Sequence, residues 1–192
     1  MLERLLKWIR CRFCLKQKHE NYQKYFFLRI AKANRWQRDE ETNNSPTAQD
    51  AVKDLKLQLG ENGLSLYKLQ QESEADELAC VYSIVLRDNP QHFEYVLFPA
   101  SVLSDYRVDH VPVIEHPRFL SERHYEIPKP SEEQLLHLAE HILASPSKKV
   151  ARIMKQQIVD YAVQHGLLET EDFRNRVGER WRKLIEQKID KS

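Results

Sequence analysis

Apolar positions recur along the chain with a helical period over most of its length and a strand period in a few short stretches. Residues 2–17 predict an amphipathic helix, because Leu2, Leu5, Leu6, Ile9 and Phe13 fall within one stripe of ~100° at 3.6 residues per turn. Arg4, Lys7, Arg10 and Lys18 lie on the opposite side. An aromatic-rich stretch from Tyr22 through Tyr25-Phe-Phe-Leu-Arg-Ile30 to Trp36 reads as further helix. The polar run Arg38 to Asn44 then interrupts the pattern as an exposed linker.

Ser45-Pro46 supplies a capping residue followed by proline, a helix-start signal. Beyond it, Ala48, Val52, Leu55 and Leu59 fit a helix ending at Gly60, while Leu55, Leu57 and Leu59 alternate like a strand, so both readings stand. Gly60-Glu-Asn-Gly63 predicts a turn, Leu64–Leu69 a strand, and Glu72–Leu86 a helix with Ala75, Leu78, Ala79, Tyr82 and Val85 inward. Asp88-Asn-Pro90 ends that helix, and His92–Phe98 is the clearest strand. Residues 106–130 hold four prolines and predict mostly extended loop, with one short strand over His124–Ile127. Ser131-Glu-Glu-Gln134 is a capping box, followed by Leu135, Leu138, Ala139 and Ile142 as a buried helix face. A second helix is expected from Ser145-Pro146, with Val150, Ile153, Met154, Ile158, Tyr161 and Ala162 inward and Gly166 as its stop. A third follows Thr170, burying Phe173, Val177, Trp181, Leu184 and Ile185.

The expected fold class is α+β and helix-dominated. A small central antiparallel or mixed sheet would be flanked by an N-terminal basic helical arm and a C-terminal helical hairpin. The expected divisions are a basic arm over residues 1–38, an acidic α+β core over 39–130, and a C-terminal helical subdomain over 131–192.

Composition narrows the function more by exclusion than by identification. Only four glycines occur in 192 residues, which removes the GxGxxG and GxxxxGK[ST] phosphate loops. Cys11, Cys14 and Cys80 are too few for a disulfide framework and suit a reducing, cytoplasmic setting. The N-terminus does not read as a secretory signal, and the chain's longest largely apolar run, Leu78–Leu86, is far short of the ~20 residues of a membrane span. Net charge is only +1, but it is segregated. Residues 1–38 carry a net +9, residues 39–145 a net −12, and residues 146–192 a net +4.

Several short motifs suggest chemistry. His137-Leu-Ala-Glu140-His141 places two imidazoles at i and i+4 on a helix, with a glutamate beside them. In these five residues it resembles the inverted zinc-protease motif of the insulysin and pitrilysin type. That resemblance implies His137 and His141 as zinc ligands and Glu140 as the group activating water, and it requires a further acidic ligand. Otherwise these are ordinary solvated side chains. Cys11-Arg-Phe-Cys14 has the spacing of half a zinc ribbon, but no second pair matches it. Arg118 and His124 share the R-x₅-H spacing of helical ribonucleases, and Asp109, Glu126 and Lys129 suggest a nuclease triad. No glycine-flanked serine elbow is present. The chemistry therefore gives no basis for an enzyme, and no cofactor is expected.

The basic N-terminal segment is the stronger candidate, since it also holds seven of the chain's eighteen aromatics. Arg4, Lys7, Arg10, Arg12, Lys16 and Lys18 would form the electrostatic footprint of a non-enzymatic interaction or regulatory protein. The expected partner is an acidic protein surface or a nucleic acid. The nucleic-acid alternative would add Arg174, Arg176, Arg180, Arg182 and Lys183 of the last helix. The competing reading is that the arm packs on this protein's own core and compensates its acidic middle. Oligomeric state is open.

Overall fold

A computed structural model describes residues 25–38, 45–57 and 59–191. Its centre is a six-stranded sheet in which every pairing is antiparallel. The strands are β1 (Phe26–Ile30), β2 (Gly63–Leu69), β3 (Phe93–Pro99), β4 (Asp109–His110), β5 (His124–Pro128) and β6 (Lys149–Ile153). Their order across the sheet is β4-β5-β2-β1-β3-β6. Seven helices surround it among the described residues: α1 (Ala48–Leu57), α2 (Glu74–Leu86), α3 (Arg118–Ser121), α4 (Glu132–Ala144), α5 (Lys155–Gln164), α6 (Glu171–Arg174) and α7 (Glu179–Ile189). The α+β class is therefore correct, and the sheet is antiparallel rather than mixed.

Each face of the sheet carries its own core, because successive side chains in a strand point to opposite sides. One face presents Leu28, Ile30, Tyr67, Leu69, Phe93, Tyr95 and Leu97 to α2, α5 and α7, with Trp181 and Ile185 wholly buried. The other presents Phe27, Leu64, Leu66, Val96, Phe98 and Ile127 to α1 and α4, with Trp36 wholly buried. The architecture is helices, sheet, helices.

Three expectations about secondary structure are corrected. Tyr25–Ile30 is not helix: Phe26–Ile30 forms a central strand, paired with β2 on one side and β3 on the other. A strand covered on both faces reads as a largely apolar run, here broken only by Arg29, instead of an alternation, and such a run mimics a buried helix. The helix expected from Ser145-Pro146 begins later, at Lys155, because Lys149–Ile153 extends the sheet at the free edge of β3. The third C-terminal helix is divided into α6 and α7. Its inward residues Phe173, Val177, Trp181 and Ile185 are buried as expected.

The capping signals at the start of α4 and the end of α5 hold, whereas α1 starts at Ala48 with Thr47, not Ser45, as its cap, and Thr170 makes no side-chain bond to α6. Ser131 Oγ accepts from Gln134 N–H and the Gln134 side chain accepts from Ser131 N–H, completing the box at the start of α4. α5 ends at Gly166, whose φ of 56° is the left-handed conformation that glycine adopts without penalty. α7 is fixed at its start by two bonds to the end of α2: Gly178 N–H donates to Ile84 O, and the Trp181 indole to Arg87 O at 2.8 Å. No helix among the described residues is long and apolar enough to cross a membrane.

Candidate interaction surface

The charge segregation read along the chain is partly erased in space. Arg35 of the basic N-terminal segment pairs with Asp50, and Arg29 is 2% exposed in β1, donating to Ser65 O at 2.6 Å. From the basic C-terminal segment, Lys149 pairs with Glu72 and Arg152 with Glu94. Cations from both ends thus neutralise acids of the middle. The six residues of the expected footprint, Arg4, Lys7, Arg10, Arg12, Lys16 and Lys18, lie outside the described residues, as do Cys11 and Cys14.

The arginines expected on one last helix are split between α6, the link after it and α7, and mostly hold their own surroundings. Arg174 reaches Glu169 O, Arg182 reaches Arg174 O, and Arg176 reaches Glu115 O and Asp172. Lys183 pairs with Glu179 one turn away, at 2.7 Å. Of the five basic residues considered for nucleic acid there, four are engaged within this chain.

A cationic groove lies instead where α5 packs on α7. The inward stripe of α5 is Ile158, Val159 and Ala162, and that of α7 is Trp181 and Ile185. The flanking positions leave a groove of about 200 Å³, lined by Lys155, Gln156, Val159, Leu184, Gln187, Lys188 and Lys191. Asp160 accepts from Gln156 at 2.9 Å and from Lys188 Nζ at 2.9 Å, holding both side chains in place. Those hydrogen bonds keep the Asp160 carboxyl below its ordinary range, Lys188 being the larger influence. Sequence reading missed this groove. The net +4 of residues 146–192 was visible, but only the helix crossing brings Lys155 beside Lys188 and Lys191.

A second depression is lined by Lys68, Gln70, Glu122, Arg123 and Tyr125, and its charged groups are engaged by neighbours. Lys68 Nζ stands 3.9 Å from the Tyr25 ring centroid and 5.6 Å from that of Tyr125, and burial lowers its pKa. Arg123 pairs with Glu74 at 3.6 Å.

The catalytic strings fare differently. His137 and His141 do stand together on α4, ring centroids 4.0 Å apart, and both are exposed. His137 Nδ1 lies 3.2 Å from the Tyr106 hydroxyl. Among the described residues, no group of three or more His, Cys, Asp or Glu is placed to hold a metal ion. The further acidic ligand that the zinc-protease motif requires is therefore not supplied by them. Arg118 is exposed and pairs with Glu122, whereas His124 is buried, so they do not converge on one site. Asp109 lies opposite Glu126 across β4 and β5, but Asp109 is engaged by Arg107. Lys129 leaves the strand with a φ of 38°.

His124, read from the sequence only as part of the R-x₅-H string, is a buried polar group. His124 is 4% exposed, and its Nδ1 must carry the proton it donates to Val111 O at 2.7 Å, since a carbonyl only accepts. The remaining nitrogen, Nε2, faces Glu126 at 3.9 Å, with the His116 ring 6.3 Å away. Burial lowers the pKa of His116, with His124 and Arg176 adding to the effect.

Comparison with protein-family models, with curated proteins and with solved structures finds no match to this chain.

Proposed function

We propose that this is a non-enzymatic interaction or regulatory protein that engages an acidic macromolecular partner through its basic N-terminal segment. One observation carries the reading. Cations of residues 25–38 and of the C-terminal segment are drawn into pairs with acids of the middle, as Arg35 is with Asp50 and Arg152 with Glu94. Residues 1–24 hold a further seven Lys or Arg against two acids, among them Arg4, Lys7, Arg10, Arg12, Lys16 and Lys18. A segment of that charge attracts carboxylates or phosphates over about a Debye length, roughly 8–10 Å at moderate salt.

The test is charge reversal of Arg4, Lys7 and Arg10 to Glu in the full chain, with anisotropy titrations against a labelled poly-glutamate and a labelled oligonucleotide. Binding of poly-glutamate that weakens on reversal and with rising salt is the expected result. Tighter oligonucleotide binding, with a steep salt slope, moves the reading to nucleic acid. No change in binding combined with a lowered urea midpoint means that the segment serves this protein's own core.

A further inference from the structure

We propose that the groove between α5 and α7 docks an acidic peptide segment that carries an aliphatic anchor residue. The proposal rests on the reading above for the acidity of the partner, but it stands on a separate surface with its own geometry.

Charge complementarity sets the first requirement. Three of the seven lining residues are lysines and none is acidic. Lys188 is fixed by Asp160, whereas the ammonium groups of Lys155 and Lys191 are exposed and have no ion-pair or hydrogen-bond partner among the described residues. Gln156 and Gln187 add amide donors at the rim. The floor sets the second requirement. Val159 is 5% exposed and Leu184 is partly buried, so the base of the groove is aliphatic. Met154, immediately before Lys155, is 53% exposed, and Ile189, immediately after Lys188, is 48% exposed. These are two of the four large hydrophobics most exposed among the described residues. Lysines around an aliphatic base suit carboxylates flanking a Leu, Ile or Val side chain.

The same lining disfavours a nucleic acid. It contains no aromatic ring on which a base could stack and no arginine fork for bidentate phosphate recognition. The acids of α7, Glu179 and Glu186, and Asp190 just after it lie outside the lining.

The experiment uses the full chain and a fluorescein-labelled peptide of Glu and Leu, titrated by anisotropy. Replacing Lys155→Glu together with Lys191→Glu is expected to weaken binding about tenfold at moderate salt, as reversal of two rim charges does. The urea midpoint should stay unchanged, because both ammonium groups are solvated; Lys155→Gln with Lys191→Gln is a milder pair should the reversal disturb folding. A peptide with Ser in place of Leu is expected to bind about tenfold more weakly, through loss of apolar burial. Unchanged affinity in either lysine pair overturns the proposal, as does equal affinity for the Ser peptide. If only the Arg4/Lys7/Arg10→Glu variant loses binding, the groove is refuted and the N-terminal reading stands; loss only in the groove variants does the reverse. Oligo-dT of equal length that binds more tightly than the peptide, and is lost in the same variants, replaces the peptide with a nucleic acid.

Discussion

Asp54 offers the sharpest test of how this fold is held together. It lies on α1, is 1% exposed, and is surrounded by groups that need its oxygens. The Trp36 indole donates to Oδ2 at 2.7 Å, and the Lys32 N–H approaches both oxygens at 3.2 Å. The Arg29 guanidinium, buried in β1, adds an attractive charge. Asp54→Ala leaves the indole and amide donors without an acceptor, and each orphaned buried donor costs about 1–3 kcal/mol. Arg29 also loses an opposing charge, so the expected total is about 3–5 kcal/mol, the range for breaking a buried ionic network. Asp54→Asn keeps one acceptor oxygen and should cost roughly half as much. Desolvation nonetheless outweighs these partners and holds the Asp54 carboxyl above its ordinary range. The folded state therefore binds this proton more readily than the unfolded chain does. The group's contribution is fully present below the unfolded pKa and declines as pH rises through the folded value. Urea unfolding followed by far-UV circular dichroism measures the loss, and repeating it from pH 4 upward tests the sign. An Asp54→Ala cost below about 1 kcal/mol, with the same urea dependence as wild type, would refute the network's role.

Other outcomes follow from single positions. Gly63→Ala should destabilise by about 1–3 kcal/mol in the same assay, because the added Cβ would stand 2.3 Å from the backbone oxygen of Ile127 and neither strand can yield. Ser131→Ala should cost about 1 kcal/mol through loss of the α4 cap, with Ser131→Asp largely neutral. His116, whose pKa is lowered chiefly by burial, keeps its full contribution above the unfolded histidine value and loses stability as pH falls from there toward its folded value. The His116→Gln variant should show a flatter urea midpoint over that window, and an unchanged profile would contradict the burial argument. Zinc titration should show no stoichiometric site that His137→Ala or His141→Ala abolishes, read by metal analysis of untagged protein.

The elements that the sequence made legible are those whose signal is local. Ser131 and Gln134 announce α4 because their capping bonds span three residues, and Gly166 announces the end of α5 because its backbone turns there. β1 and β6 carried no such signal. The side chains of Phe26–Ile30 are sorted between two cores only once β2 and β3 flank them. Val150 and Ile153, three apart, share a face only in a helix; in β6 they point to opposite cores, and it is the open edge of β3 that decides. Alternation reports a strand only when one of its faces meets water.

Charge was misleading for a related reason. A sum over residues 1–38 treats Arg29 and Arg35 as equals of Arg4 and Lys7. Folding buries Arg29 beside the Asp54 network and gives Arg35 to Asp50. Removal from water pulls the Arg29 guanidinium down to about 10, so even this strongest of bases carries a penalty that Asp54 only partly relieves. Such a buried cation is lost to any partner. Lys155 and Lys191 show the converse. They stand thirty-six residues apart, in a segment whose charge is diluted by seven acids, and become one feature only where α5 crosses α7. A binding surface is thus set by which charges remain after internal pairing, and that remainder depends on helix crossings and strand order that no window of sequence contains.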